Sequence, residues 1–266
     1  MKILFLANKD LVSNFALNSL LPKVSKNNDV HLCLSANVGK TDVTPTQLKS
    51  LKFFEQDLFI KILSPLISKS GARDTYKAFD DFHCFLSSEL REVNQINSPE
   101  IIHNLESLSP DLIVSIRYGG ILKETVINIP KRGVLNLHSG ILPKYKGVMA
   151  TFWALKNNDS EIGTTLHTID NGSIDTGHIV KISKIKSRVN KSYLWHVLEL
   201  YKQGSIDVAD AIESLKKGKM LNSQAQGESH LYFTFPNEIE CTDFEDSGLK
   251  ILDEQDYLTF IKTHYL

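Results

Sequence analysis

The sequence predicts an α/β protein, and three observations carry that reading. Short apolar runs alternate with longer amphipathic ones along most of the 266 residues, the pattern of strands interleaved with helices. The first apolar run, residues 3–7, is unbroken, as a parallel strand covered on both faces requires. The composition, 42% hydrophobic and 23% charged, is that of a chain able to bury a core, which excludes wholesale disorder.

Each element follows in order. Residues 12–24 carry Phe15, Leu17, Leu20 and Leu21 at helical spacing, with Ser13 available as the cap. A second strand at 30–35 completes a β-α-β unit. Residues 44–97 form an insert rich in aromatics (Phe53, Phe54, Phe59, Tyr76, Phe79, Phe82, Phe85), read as helices lying over the sheet. Such rings belong to core packing, with a ligand box as the alternative. Ser98, Pro99 and Glu100 open a helix to about residue 108, proline sitting in the favourable first turn. Strands are expected at 112–116 and 133–138, a helix at 149–156, strands at 164–169 and 179–185, and a long helix from its cap Ser192 to about 217. Lys216, Lys217 and Lys219 place positive charge where the helix dipole favours it. The chain divides into a main unit, 1–217, and a polar C-terminal appendage, 218–266, too short to sustain a core alone.

Charge and composition narrow the function. Lys+Arg 30 against Asp+Glu 31 gives a net charge of -1, which supplies no footprint for nucleic acid, so no nucleic-acid partner is expected. Cys33, Cys84 and Cys241 are widely spaced and form no C-x-x-C, and no histidine cluster has ligand spacing; no disulfide framework and no metal are expected. The N-terminal apolar run is too short for a signal-peptide core and no run approaches bilayer length, so the expectation is a cytoplasmic protein with no membrane partner. Arg117-Tyr118-Gly119-Gly120-Ile121 matches neither the dinucleotide fingerprint nor a P-loop, and residues 7–11 contain no glycine, which argues against NAD and ATP. Gly119 and Gly120 either let backbone approach a flat ligand or make a turn.

The segment from 136 to 175 holds the chemistry. Asn136 and His138 lie two apart in a strand and leave the same face, at the carboxyl end where open parallel sheets bind ligands. An amide and an imidazole there can donate to a developing oxyanion and move a proton; the alternative is that both satisfy loop backbone. Asp175, in a glycine-flanked turn, is on local grounds a turn residue bonding its neighbour's N–H, as are Asp170, Asp42, Asp74 and Asp111. Alternation puts Thr165, His167 and Ile169 on one face, with His167 read as a packed or capping residue and His178 as a surface one.

The run Gly133-Val-Leu-Asn136-Leu-His138-Ser-Gly-Ile-Leu-Pro143-Lys-Tyr-Lys-Gly147, then Gly163-Thr-Thr-Leu-His167, then Ile174-Asp175-Thr-Gly177, resembles the formyltransferases that use 10-formyltetrahydrofolate. These include the methionyl-tRNA, glycinamide ribonucleotide and sugar N-formyltransferases. The resemblance is strong over about 110–185, weaker in the N-terminal strands and absent from 44–97. It implies a Rossmann-like, mostly parallel sheet flanked by helices, with Asn136, His138 and Asp175 as the catalytic set. It also implies 10-formyltetrahydrofolate as co-substrate. The pterin would lie against the backbone of Arg117, Tyr118, Gly119, Gly120, Ile121 and Leu122 and against the loop from Asp170 to Asp175. That loop departs from the family's pattern, since Asn171-Gly172-Ser173-Ile174 is one residue longer, and a shifted register would carry Asp175 away from the histidine.

The implied reaction is formyl transfer to a primary amine. Glycinamide ribonucleotide enzymes bear a Gly-Ser-Asn-type phosphate loop after the first strand, where this chain has Asn8-Lys9-Asp10. The methionyl-tRNA enzymes carry a C-terminal domain much larger than 218–266. The expected acceptor is therefore a small molecule, a nucleotide-linked amino sugar. A formyltetrahydrofolate hydrolase, another amine acceptor and a non-catalytic folate-binding module stay open. So does the use of 44–97, which could roof the sheet, cover a nucleotide base or form a homodimer surface.

Overall fold

The computed structural model describes residues 1–36, 44–70, 75–229 and 231–266; Asp42 and Asp74 lie outside these. Strand β1 (Lys2–Asn8) is buried from Ile3 onward and pairs in parallel with β2 (Asp29–Ser35) on one side and β4 (Leu112–Ile116) on the other. The short β3 (Arg91–Glu92) extends the sheet beyond β2, and β5 (Val134–His138) runs parallel to β4. Then the direction changes: β7 (Glu161–Thr168) lies antiparallel to β5, and β8 (Ile179–Lys186) antiparallel to β7. The open sheet reads β3-β2-β1-β4-β5-β7-β8, the α/β architecture that the alternation predicts, with the mostly parallel sheet that the resemblance implies.

Helices cover both faces. Helix α1 (Leu11–Val24) and the long α7 (Tyr193–Lys216) pack together on one. The other holds α4 (Pro99–Leu108) and α5 (Glu124–Ile127), over a smaller core around Leu4, Leu6 and Ile113. Ser98 and Ser192 cap α4 and α7 as expected. The cap of α1 differs from expectation. Asp10 Oδ1 accepts the Ser13 N–H at 2.7 Å, so the helix opens immediately after β1 and Ser13 lies inside its first turn.

The insert is helical over Thr46–Ser70 and in a short 3-10 turn at Phe79–Cys84, whereas its Arg91–Glu92 joins the sheet as β3. From α2 (Thr46–Lys52) the chain passes through a π-helical stretch, Phe53–Leu63, into α3 (Ser64–Ser70). Phe59, Phe79 and Phe82 are buried in the main core, as core packing predicts, while Phe53 is exposed.

Residues 218–266, the short polar appendage of the sequence, pack onto the core of the main unit. Helix α8 (Glu238–Asp246) stacks Phe244 on Phe152 of α6 (Ala150–Lys156), ring centroids 4.4 Å apart. Helix α9 (Glu254–His264) buries Tyr257, Phe260 and Ile261, with Phe260 edge-on to Phe15 of α1 at 4.9 Å. Their spacing of three and four residues is one helical face, which joins the common core despite polar surroundings. Between α7 and α8, β9 (Tyr232–Phe233) pairs in parallel with β6 (Lys146–Gly147). Gly147 has φ +100, and a Cβ there would collide with the Phe233 carbonyl, so this crossing needs glycine. Among the described residues no helix is long and apolar enough to cross a membrane.

Candidate active site

The carboxyl end of β5 brings out Asn136 and His138 on one face, as the strand period dictates. The antiparallel register sets Asn136 opposite His167. Side chains of such a pair meet, and Asn136 Nδ2 lies 3.0 Å from His167 Nε2. His167 Nδ1 lies 2.8 Å from the Thr168 carbonyl, which can only accept, so Nδ1 carries the hydrogen and Nε2 accepts from Asn136. His138 is fixed in the same manner: its Nε2 donates to the Tyr145 carbonyl at 2.7 Å. Any proton that His138 gains or loses therefore sits on Nδ1. Gly140 allows this packing, because a Cβ there would come within 2.7 Å of His138 Nε2 and 2.9 Å of the Tyr145 oxygen.

Asp175 completes the group from the loop after β7. Its backbone is left-handed, φ +53, a conformation a non-glycine residue adopts at a cost of about 1–3 kcal/mol. The carboxylate lies 3.6 Å from His138 Nδ1 and 3.4 Å from His167 Nε2, and Oδ2 accepts the Gly147 N–H at 2.8 Å. Burial pushes its pKa up, but the charge of His138, the neighbouring His167 imidazole and the Gly147 N–H outweigh burial and hold it down at about 2. Gln226 Nε2 clamps the loop by donating to the carbonyls of Asp175 at 3.0 Å and Gly177 at 2.6 Å. The lengthened loop thus leaves Asp175 beside the histidine.

These side chains open on a cavity of about 990 Å³ along the strand ends. Arg117, Tyr118, Gly119, Gly120, Ile121 and Leu122 all line it, as do residues 171–174. This wall is held from behind: the Tyr118 hydroxyl donates to the Val93 carbonyl at 2.6 Å, the Gly119 N–H to Ser35 Oγ at 3.0 Å, and Asn97 Nδ2 to the Ile121 carbonyl at 2.8 Å. Asp170 does not line the cavity; it pairs at the surface with His178 at 2.8 Å.

The side chain of Arg117 has a separate role. With φ +56 at the end of β4, its guanidinium reaches Asp10 Oδ2 and Glu55 Oε1, each at 3.1 Å. Asp10, Glu55, Tyr193 and Tyr201 are buried and line the same cavity. Burial drives the Glu55 pKa up to about 7 against the pull of Arg117, with the charge of Asp10 adding to the rise. Sequence reasoning missed this cluster and the coupling of His167 to Asn136. Only the strand face of His167 was readable beforehand.

A family model described as "Formyl transferase" matches residues 52–192, more than half of the chain. A methionyl-tRNA formyltransferase of Caldanaerobacter subterraneus subsp. tengcongensis is 31% identical over 136 residues, 51% of this chain and 44% of that protein. One of Methylacidiphilum infernorum is 37% identical over 126 residues, 47% of this chain and 38% of the relative. The chain spans no more than about half the length of the curated relatives it matches. Among solved structures, an N-formyltransferase from Helicobacter canadensis, in complex with folinic acid and dTDP-3-aminofucose, superposes with a TM-score of 0.58 at 18% identity, covering 96% of this chain and 85% of the other. A phosphoribosylglycinamide formyltransferase from Anaplasma phagocytophilum gives 0.56 at 17%, covering 88% and 98%.

Proposed function

The chain belongs to the formyl transferase family, and on that premise we propose that it transfers a formyl group from 10-formyltetrahydrofolate to the primary amine of a nucleotide-linked amino sugar. The observation that carries the reading is the convergence of Asn136, His138 and Asp175 at one strand end, beside a cavity within the size range of small-molecule sites, about 300–1,000 Å³. The residues fit a folate: Gly119, Gly120 and Gly172 give the wall backbone with little side-chain bulk, which a flat pterin needs for close approach.

The folate supplies an activated formyl carbon, and the amine attacks it as the free base. Asn136 Nδ2 has one hydrogen committed to His167 and a second free for the oxygen on which charge develops. Protonated His138 adds positive charge beside that oxygen, with its Nδ1 proton facing Asp175. Asp175 holds His138 in place and relays the amine's proton, directly or through water, to the folate nitrogen, whose bond to the formyl carbon breaks as tetrahydrofolate leaves.

Three observations favour the amino sugar. The net charge of -1 suits no polyanion. At the first turn of α1 the Asp10 carboxylate already accepts the Ser13 N–H, and its charge would oppose a phosphate there. A solved relative of the same fold is described with dTDP-3-aminofucose. Methionyl-tRNA is the second reading, favoured by the curated relatives. Incubation with 10-formyltetrahydrofolate and each amine separates them. Tetrahydrofolate released only with amino-sugar nucleotides supports the first reading, and release only with methionyl-tRNA supports the second. Release without any amine identifies a hydrolase, and no release refutes formyl transfer.

A further inference from the structure

A second polar group faces the cavity, on elements that supply none of the Asn136–His138–Asp175 set. Asp10 is saturated: Oδ1 accepts from the Ser13 N–H, and Oδ2 from Asn8 Nδ2 and Arg117 Nε. Glu55 is 7% exposed and lines the cavity, and its Oε1 accepts from Arg117. Tyr193 and Tyr201, both buried, line the adjoining wall. Ser139 directly follows His138, so this polar wall runs up to the proposed reacting atoms.

The chemistry of this wall is selective. Two carboxylates share one guanidinium, and the helix N-terminus that would attract an anion is already occupied by Asp10. Lys52 and Arg117 are the lysine and arginine among the described lining residues, and Arg117 is committed to the two acids. Lys52 is exposed, and a phosphate placed beside Glu55 would meet two carboxylates that already share one guanidinium. Hydroxyls and an ammonium would instead find acceptors in the Glu55 carboxylate and the tyrosine oxygens.

We infer that Glu55, Arg117, Tyr193 and Tyr201 form the acceptor subsite, which takes the hydroxyl-bearing ring of an amino sugar and excludes phosphate from that position. This rests on the reading of the chain as an amino-sugar formyltransferase and names the residues that would select the ring.

Two probes test the subsite and that reading separately. Folinic acid binding is measured by calorimetry, and glucosamine binding by ligand-observed NMR, on the wild-type chain, Glu55→Gln and Tyr193→Phe. Glu55→Gln is expected to bind glucosamine at least tenfold more weakly, the loss typical of a hydrogen bond to a charged group. Tyr193→Phe should show a smaller loss, and both should bind folinic acid within twofold of wild type, which also verifies their folding. Inorganic phosphate should not displace glucosamine. Glucosamine binding that is absent from the wild type, unchanged in Glu55→Gln or abolished by phosphate overturns the subsite. Loss of folinic acid binding in the wild type, with Glu55-dependent glucosamine binding intact, would refute the formyltransferase reading and leave the subsite standing.

Discussion

Two buried carboxylates face one cavity and are driven in opposite directions. Asp175 is met by a backbone N–H and two imidazoles, and its pKa falls to about 2. Glu55 competes with Asp10 for a single guanidinium, and its pKa rises to about 7. Burial opposes the charge in both, so the difference lies in the donors supplied. A β-ladder places donors around Asp175 by register, whereas Glu55 depends on an arginine reaching across from another strand end. The first carboxylate is a fixed charge at any ordinary pH; the second stays responsive to what enters the cavity.

The largest effect should come from removing the cation that Glu55 and Asp10 share. Arg117→Met strands two buried acids and is expected to cost about 3–5 kcal/mol, read as the urea midpoint at pH 8. Adding Glu55→Gln should recover part of that loss; no recovery would mean that the two acids do not compete. On the other side, Asn136→Ala should lower kcat for formyl transfer roughly 100- to 1,000-fold, the effect of removing one oxyanion donor, with folate affinity retained. Full turnover in that variant would break the contrast between a reacting cluster and a binding one.

Stability against pH sharpens the comparison. Asp175, lowered from 3.8 to about 2, contributes stability above pH 4 that disappears as pH falls from about 4 to about 2, an effect of about 2 kcal/mol at roughly 1.36 per unit. Asp175→Asn should therefore flatten the acid limb of the stability curve. Glu55 has the opposite sign: raised from 4.5 to about 7, it makes the fold less stable as pH climbs through that window, and Glu55→Gln should remove the decline. Chemical denaturation from pH 2.5 to 8 reads both; identical curves for the two variants would erase the distinction. The smallest change belongs to Asp170, whose exposed pair with His178 should be worth under about 1 kcal/mol in the same assay after Asp170→Ala.

The legible parts of the molecule were those set by local periodicity. Residues 3–7 were readable as a covered strand, and alternation alone put Asn136 and His138 on one face. Pairing across the sheet is not local. That His167 meets Asn136 depends on β7 turning antiparallel at a particular register 31 residues away, which no strand pattern encodes. Arg117 joins partners 107 and 62 residues distant, so the cluster it makes was invisible beforehand. The π-helical stretch 53–63 has no composition of its own. By contrast, Tyr257, Phe260 and Ile261 on α9 did carry a readable stripe, hidden by the polar residues around it.

The bonds from Gln226 to the Asp175 loop, and the pairing of β9 with β6, have a consequence in time. Ribosomes deliver the polypeptide N-terminus first, at roughly 5–20 residues per second. The strands bearing Asn136, His138 and His167 are therefore synthesised on the order of ten seconds before residues 226–233 that brace them. During that interval a nascent chain holds the sheet and the polar side chains, while the loop bearing Asp175 lacks its clamp. The site is thus an assembly braced by a segment translated after the strands it crosses, and its maturation is timed by that segment.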